Sequence, residues 1–509
     1  VSTPGKSPYT PLSLSSLPNL CIRDDINLGR ESPYSDALAR FENQALVTVA
    51  CGTTCVNLGD ERNLREFLVA DEVARRLREA GHVVISLLVD DSLEPLGYRQ
   101  LRIAADKDEL FIGRWADWCG KPIACIPDPW DCHASYAAHF EEALLDRLHS
   151  LRCHPNLVST ASLYEGGLYA PYVRQVLERY DEIMRFLTER FPGYQPETLF
   201  WVLCPRCGYI DETQIERIDG KDVRYYCRRC EHSGSLPLDE VKGRLNWKLD
   251  CAARWVLLRI DAEPFNKAYL EPQCGSYFVA REAGKELFGG RDVLPLRYGL
   301  VKIERSVSYR LLPSLPADVL RSLFTERATA DITVTSDCVL NAASRCQVEY
   351  GLSYLDCVKQ LVPMWLLRPQ SLTDRQRDLV GHGIRFAEDF LGQEVALQLP
   401  TRESLEGIRP DVLEAMHRVL VDIIELRESS AGSWEAFCER AKQLIAALGD
   451  SKHETMSSLR AILGQKQGIP ASRLLFLVPM NYLQALEYIL HLQLACTSDR
   501  WQVADRLAA

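Results

Sequence analysis

Four cysteines stand in two tight pairs, Cys204-Pro205-Arg206-Cys207 and Cys227-Arg228-Arg229-Cys230, separated by Gly208 to Tyr226. Each pair presents two thiolates on one short turn, and two such turns complete a tetrahedral shell around zinc. A shell of four thiolates leaves no open position, so the metal is expected to be structural and not catalytic. His232 lies close but is superfluous to that shell. Arg228 and Arg229 read as a solvated turn, with phosphate contact as the alternative. The segment between the pairs reads as a hairpin with Asp219-Gly220 at its turn. The remaining cysteines, out of 18 in all, are scattered without framework spacing. That pattern fits reduced, mostly buried thiols in a cytoplasmic protein.

The elements that must position these residues follow a recognisable order. Leu46-Val47-Thr48-Val49-Ala50 is a short apolar run rich in β-branched residues, which predicts a strand. A loop from Cys51 to Gly59 follows. Then Leu64, Phe67, Leu68, Ala70, Val73 and Leu77 recur near helical spacing, and Gly81 closes the helix. His82 to Val89 is a second apolar run, ended by Asp90-Asp91. Strand, loop, helix and buried strand make a βαβ unit, and such a unit predicts a parallel sheet with ligands at the carboxyl ends of its strands. Helices are expected over about Ser135 to Leu151 and Tyr172 to Arg190. Sheet-and-helix material returns at Trp247 to Leu258 and Leu294 to Val301. Beyond about Pro316 the pattern becomes long amphipathic helices: Asp331 to Leu361, Leu372 to Leu391, Arg409 to Leu426, Ser433 to Leu448 and Glu454 to Leu463.

Composition sets outer bounds. With 509 residues, 47% hydrophobic and 25% charged, the chain has the make-up of a globular protein of several domains. The net charge of -11 supplies no bulk argument for nucleic acid, although local basic faces decide that question. No apolar run is long enough to span a bilayer, so no membrane partner is expected. Val1 to Leu20 is rich in Ser and Pro and lacks the basic-then-apolar layout of a secretory signal. It reads as part of a flexible arm, and the absence of an initiating methionine suggests a processed start.

Ordered blocks then resemble one family. Ile126-Pro127-Asp128-Pro129-Trp130-Asp131-Cys132-His133-Ala134-Ser135-Tyr136-Ala137-Ala138-His139-Phe140 is similar to the signature block of class I lysyl-tRNA synthetases. Gly167-Leu168-Tyr169, the four-cysteine segment, Gly243 to Asp250 with Arg254-Trp255, Glu263 to Lys267, Gly275-Ser276-Tyr277 and Phe288-Gly289-Gly290 follow in the family's order. Ala461 to Lys466 resembles its last helical region, so the resemblance runs over roughly 35 to 490. It implies an α/β fold: a Rossmann-type parallel-sheet catalytic core with a zinc-ribbon insert, followed by an all-α C-terminal domain that resembles a tRNA-binding region. The expected layout is an arm over 1–34, the first half of the core over 35–199, the ribbon over 200–235, the second half of the core over 236–315 and the helical domain over 316–509.

The resemblance also implies two half-sites. For the amino acid it points to Gly52 and Thr54 after the first strand, and to Trp247, Tyr269 and Tyr277; Tyr269 stands where the family has a pocket histidine. Aromatic faces and hydroxyls suit a lysine ammonium leaving water, whereas an ordinary core role is the alternative for each ring. Asp90-Asp91 also matches a family pair, with loop solvation as the alternative. For ATP with Mg, the family carries His-Ile-Gly-Asn ahead of an Arg-Glu pair. Counted back without a gap from Leu64-Arg65-Glu66, those positions are Asp60, Glu61, Arg62 and Asn63. A shifted reading, Asn57-Leu58-Gly59-Asp60, keeps the glycine, and both readings lose the histidine. An Asp60 carboxylate about 4 Å from a phosphate would repel it by about 4 kcal/mol at an effective dielectric near 20. The second, lysine-bearing motif has Lys302, Arg305 and Ser306 as a remnant ahead of Pro316-Ala317-Asp318-Val319-Leu320-Arg321, or else a polar strand end. The expected function is therefore a divergent lysyl-tRNA synthetase-like enzyme that binds lysine or a modified basic amino acid and activates or transfers it, repurposed from tRNA charging. The alternatives are a non-catalytic relative binding an amino acid, RNA or protein, and a true lysine-tRNA ligase with unusual motifs.

Overall fold

The computed structural model describes residues 32–508, apart from 273, 363–364, 366–371, 393–399, 401–403, 406, 430–433, 464–474, 476–477 and 479. The N-terminal arm up to residue 31 and the Gly464-Gln465-Lys466 end of the C-terminal block lie outside the described residues. Two compact units are present. The first runs to Arg305 and takes in Phe324–Val334; the second comprises Ser306–Leu323 and the chain from Thr335. Among the described residues no helix is long and apolar enough to cross a membrane.

The first unit is built on β1 (Leu46–Thr53), β2 (Val83–Asp90), β3 (Asn156–Ser159), β4 (Phe200–Val202), β5 (Thr213–Asp219), β6 (Asp222–Cys227), β7 (His232–Pro237), β8 (Gly243–Leu245), β9 (Ala262–Asn266) and β10 (Leu294–Tyr298). Five of these form one sheet in the order β10-β9-β1-β2-β3, all parallel. Val47, Val49 and Ala50 of the central β1 are buried on both faces, as a covered parallel sheet requires. The chain steps outward from β1 to β3, then returns to β9 on the other side of β1. That reversal opens a crevice at the carboxyl ends of β1 and β9, the usual ligand position in such sheets.

The helix Leu64–Glu79 follows β1 and buries Leu64, Leu68, Val73 and Leu77 along one stripe. Arg65, in its first turn, is also buried. Its guanidinium donates to the carbonyls of Phe324 (3.0 Å), Gly299 (2.9 Å), Ala330 (2.8 Å) and Arg327. These acceptors replace the water that a buried guanidinium loses, and they tie Phe324–Val334 to the core. Gly299 makes the close approach feasible, since a Cβ there would sit 2.1 Å from the Ala330 carbonyl oxygen.

Two expectations need correction. The helix expected over Tyr172 to Arg190 is two helices, Ala170–Glu178 and Tyr180–Arg190, because Arg179 leaves the helical region at φ -119°, ψ 29°. The bend is held by the Tyr180 hydroxyl, 2.9 Å from Thr198 Oγ1. The helix expected over Asp331 to Leu361 is also interrupted. The β-branched run Ile332–Val334 forms β12, which pairs in parallel with β11 (Val301–Ile303). After the helix Ser336–Arg345, β13 (Gln347–Glu349) and β14 (Leu352–Ser353) form a hairpin in the second unit. Its turn places Tyr350 and Gly351 at φ 49° and 69°. The second unit is otherwise helical, with Asp374–Phe386, Pro410–Ser429, Trp434–Ala446, Lys452–Ile462 and Met480–Ala508 as its main segments.

Candidate functional site

The four ribbon cysteines converge. Their sulfurs all lie within 4.8 Å of one another. Cys204 Sγ is 3.7 Å from Cys230 Sγ, and Cys207 Sγ is 3.6 Å from Cys227 Sγ. These separations far exceed the ~2.05 Å of a disulfide. They approach the ~3.8 Å edge of a tetrahedron with ~2.3 Å zinc–sulfur bonds. Burial alone would raise the Cys204 thiol, but the N–H groups of Cys207 and Arg206 turn towards it and hold it below its ordinary value. The donor set and its spacing therefore fit zinc. The hairpin of β5 and β6 turns at Gly220, at φ +60°, and β7 adds a third strand.

A second cluster of metal-ligand types was missed by the sequence reading. Asp128, Cys132, His133 and His139 bring one ligand atom each within 4.8 Å of the others. Cys132 Sγ lies 3.2 Å from Asp128 Oδ2, 3.0 Å from His133 Nδ1 and 3.3 Å from His139 Nδ1. Asp128 is fixed by the N–H groups of Trp130, Cys132 and His133, and His133 Nε2 reaches Glu142 at 2.6 Å. A carboxylate behind a ligating histidine is a common way to set its tautomer. The signal was present as Asp-x3-Cys-His-x5-His, but mixed ligand types on a loop before the helix Tyr136–Ser150 have no regular knuckle spacing.

At the crevice, the structure groups several predicted residues and separates others. Gly52 and Thr54 lie at the end of β1. Behind Gly52 runs a buried charge network: Arg254 Nη2 is 2.9 Å from Glu263 Oε1, and Arg254 Nη1 is 3.1 Å from Asp91 Oδ1. Glu263 also accepts from the Trp255 indole. A Cβ on residue 52 would lie 2.7 Å from Arg254 Nη2, so this position admits glycine alone without displacing the network. Asp90 is fully buried and accepts from the Cys55 N–H at 2.6 Å.

Glu66 faces the same crevice and was not singled out from sequence, although it belongs to the Arg-Glu pair used there as an anchor. Tyr298, the last residue of β10, donates to Glu66 Oε2 at 2.6 Å, and Asn266, the last of β9, lies 3.4 Å from the Tyr298 hydroxyl. Burial, reinforced by the charge of Glu263, raises the Glu66 carboxyl to about 7 despite the Tyr298 bond. Tyr269 feels the Glu66 charge and packs edge-on against Trp247, with centroids 5.9 Å apart. Tyr277 is placed differently. It is 1% exposed, its hydroxyl donates to the Val293 carbonyl at 2.9 Å, and its ring packs against Trp255, Phe265 and Phe278. Its backbone N–H donates to the Tyr269 carbonyl at 3.1 Å, and Phe265 packs between the two rings.

Of the residues expected at the nucleotide end, Lys302 lies on a strand beside the turn that holds Asn63. Glu61–Asn63 form a single 3-10 turn that leads into the helix Leu64–Glu79, and β11, carrying Lys302, packs against this turn. Asp60 caps the turn, and Arg62 grips its carboxylate through Nε at 2.6 Å and Nη2 at 2.5 Å. Gly59 adopts φ +57°, and Arg147 Nη1 holds the loop through the carbonyls of Leu58 (3.0 Å) and Gly59 (3.3 Å). Asn63 is exposed, and its amide nitrogen would be 3.5 Å from a Cβ on Gly59. Lys302 and Arg305 are exposed in the first unit, whereas Ser306 begins the second.

Comparison with known proteins places the chain in a family. The profile of the family described as "tRNA synthetases class I (K)" matches residues 36–309, more than half of the chain. A lysine–tRNA ligase of Archaeoglobus fulgidus is 31% identical over 273 residues, covering 53% of this chain and 52% of that protein. Lysine–tRNA ligase 1 of Methanosarcina acetivorans is 29% identical over 278 residues, covering 51% and 50%. A lysine–tRNA ligase of Pyrococcus horikoshii is 30% identical over 249 residues, covering 48% and 45%. The chain thus spans about half the length of the curated relatives it matches. On the profile match, this chain belongs to the class I (K) tRNA synthetase family.

Proposed function

We propose that this protein is a repurposed enzyme of that family, which binds lysine or a modified basic amino acid at the carboxyl ends of β1, β9 and β10 and activates or transfers it. The observation that carries this reading is the contrast at one crevice: Gly52 with its Arg254–Glu263–Asp91 backing is intact, while the motif positions Asp60 and Arg62 are closed on each other by an ion pair. In this reading Gly52 and Thr54 flank the amino acid, Glu66 meets its side-chain ammonium, and Trp247 and Tyr269 cover the stem. An ionised carboxylate with an aromatic face replaces the water that the ammonium loses. Tyr277 supports the pocket from the core. ATP with Mg would meet Asn63, Lys302 and Arg305. The Asp60 charge that would repel a triphosphate is already answered by Arg62. Zinc at Cys204, Cys207, Cys227 and Cys230 is structural.

Amino-acid-dependent exchange of pyrophosphate into ATP tests activation, and charging of lysine tRNA tests the acceptor. The proposal expects exchange with a basic amino acid and little or no tRNA charging. Thermal-shift measurements with lysine and with hydroxylated or methylated lysines identify the ligand, and no response to any of them would defeat the pocket. The Asp60–Arg62 pair also favours a second reading, a non-catalytic amino-acid binder, which predicts a lysine shift without exchange.

A further inference from the structure

Beside this crevice lies a cavity of about 230 Å³ that shares Trp247 with it and is otherwise lined by residues given no part in the expected reaction. It opens where the loop after β2 meets the β4–β8 pair and the residues following the first zinc knuckle. Its walls include Glu94, Trp201, Asp211, Arg244 and Trp247. Trp201 and Arg244 are direct partners across the antiparallel β4–β8 pair, so both side chains leave the same face. Trp247 follows two residues after β8 and opens the helix Trp247–Leu257. Two indoles and a guanidinium therefore frame one small space.

The charges in this space are of both signs. The Arg244 side chain is only 4% exposed. Its Nη1 lies 2.8 Å from Glu94 Oε2, yet its N–H bonds do not point along that line, and the nitrogen holds no aligned hydrogen bond. A buried N–H without an acceptor is unfavourable, and a bound acceptor would relieve it. Opposite it, Asp211 stands against Gly120, where a Cβ would meet its Oδ1 at 2.5 Å. Burial raises both the Glu94 and Asp211 carboxyls above their ordinary values, against the lowering pull of Arg244 on Glu94 and of Arg229 on Asp211. The volume is below the roughly 300–1,000 Å³ of pockets for drug-sized ligands, so a nucleotide is too large. A buried guanidinium nitrogen without an aligned acceptor, two carboxyls in the same wall, and indole faces beside them suit a zwitterion with a short stem.

We propose that this cavity is a second ligand site, taking a free α-amino acid whose carboxylate meets Arg244 and whose ammonium meets Glu94 and Asp211 between the faces of Trp201 and Trp247. Its binding does not depend on the strand-end site at Gly52 and Glu66; only its use as a second substrate rests on that reading. The probe is L-norleucine, which lacks the second ammonium that Glu66 would select, titrated calorimetrically into the full chain. Pentylamine and hexanoate each carry one of its two charges on a similar stem. Norleucine is expected to bind, and the two single-charge compounds about tenfold or more weaker, since each forfeits one charge-assisted contact. Asp211→Asn and Trp201→Leu are each expected to weaken norleucine about tenfold. Absence of norleucine binding, equal binding of all three compounds, or unchanged affinity in both variants overturns the proposal. Glu66→Gln separates the two sites: loss of lysine binding with norleucine binding kept supports a distinct second site, and loss of both overturns it.

Discussion

The two halves of the crevice handle charge in opposite ways. Around Gly52, Arg254 is buried between Glu263 and Asp91, and the glycine's missing side chain is the space the guanidinium fills. Around Asp60, the charge is answered two residues away by an Arg62 side chain that is 55% exposed. A buried network can be changed only by removing several residues together, because any one loss strands a charge in low dielectric. In the Asp60–Arg62 pair only Asp60 is buried, and its partner is a near neighbour in sequence on the surface, so the pair involves fewer distant residues than the network does. On the proposed function, this difference would let one half of the site persist while the other changes.

The comparison can be broken most forcefully at Arg254. Arg254→Ala leaves Glu263 buried and unpaired, and urea unfolding is expected to show a loss of about 3–5 kcal/mol. A loss near that of a surface substitution would remove the distinction between the halves. Glu66 gives an intermediate effect with a defined sign. Its carboxyl is raised to about 7 from an ordinary 4.5, so its contribution to stability is fully present below 4.5 and is lost as pH rises through 7. Ligand binding runs the other way, because only the ionised carboxylate attracts an ammonium. Lysine affinity is expected to strengthen between about pH 6 and 8, and Glu66→Gln is expected to flatten that rise. The smallest effect is expected at Asp60. Asp60→Ala should cost about 1–2 kcal/mol, the scale of a lost cap, read in the same unfolding experiment.

Much of the first unit was legible because its signals are local. The β1–loop–helix–β2 order follows from apolar runs and a closing glycine, and the ribbon follows from two Cys-x2-Cys turns. Features that depend on distant partners were hidden. Nothing local marks Arg254 as the reason for Gly52, since the two meet only when β1 packs against the helix Trp247–Leu257. The Asp128–His139 cluster escaped because its ligands are of three types at uneven spacing. Ile332–Val334 reads as helix margin until β11 is available to pair with it. Tyr277 shows the opposite error of emphasis: the resemblance drew it towards the ligand, whereas its hydroxyl is held by the Val293 carbonyl. The Asp60–Arg62 pair was in principle readable, as two substitutions of opposite charge two residues apart.

The central claim is that the nucleotide end has been rebuilt around that pair while the amino-acid end has been kept. Lysine-dependent pyrophosphate exchange by the wild-type chain and by the double variant Asp60→His with Arg62→Gly tests it most directly. Restoring the family's residues at both positions is expected to raise exchange or apparent ATP affinity by about tenfold or more, the scale of one recovered charge-assisted phosphate contact. A wild-type chain that already exchanges efficiently, and loses that activity in the double variant, would contradict the account.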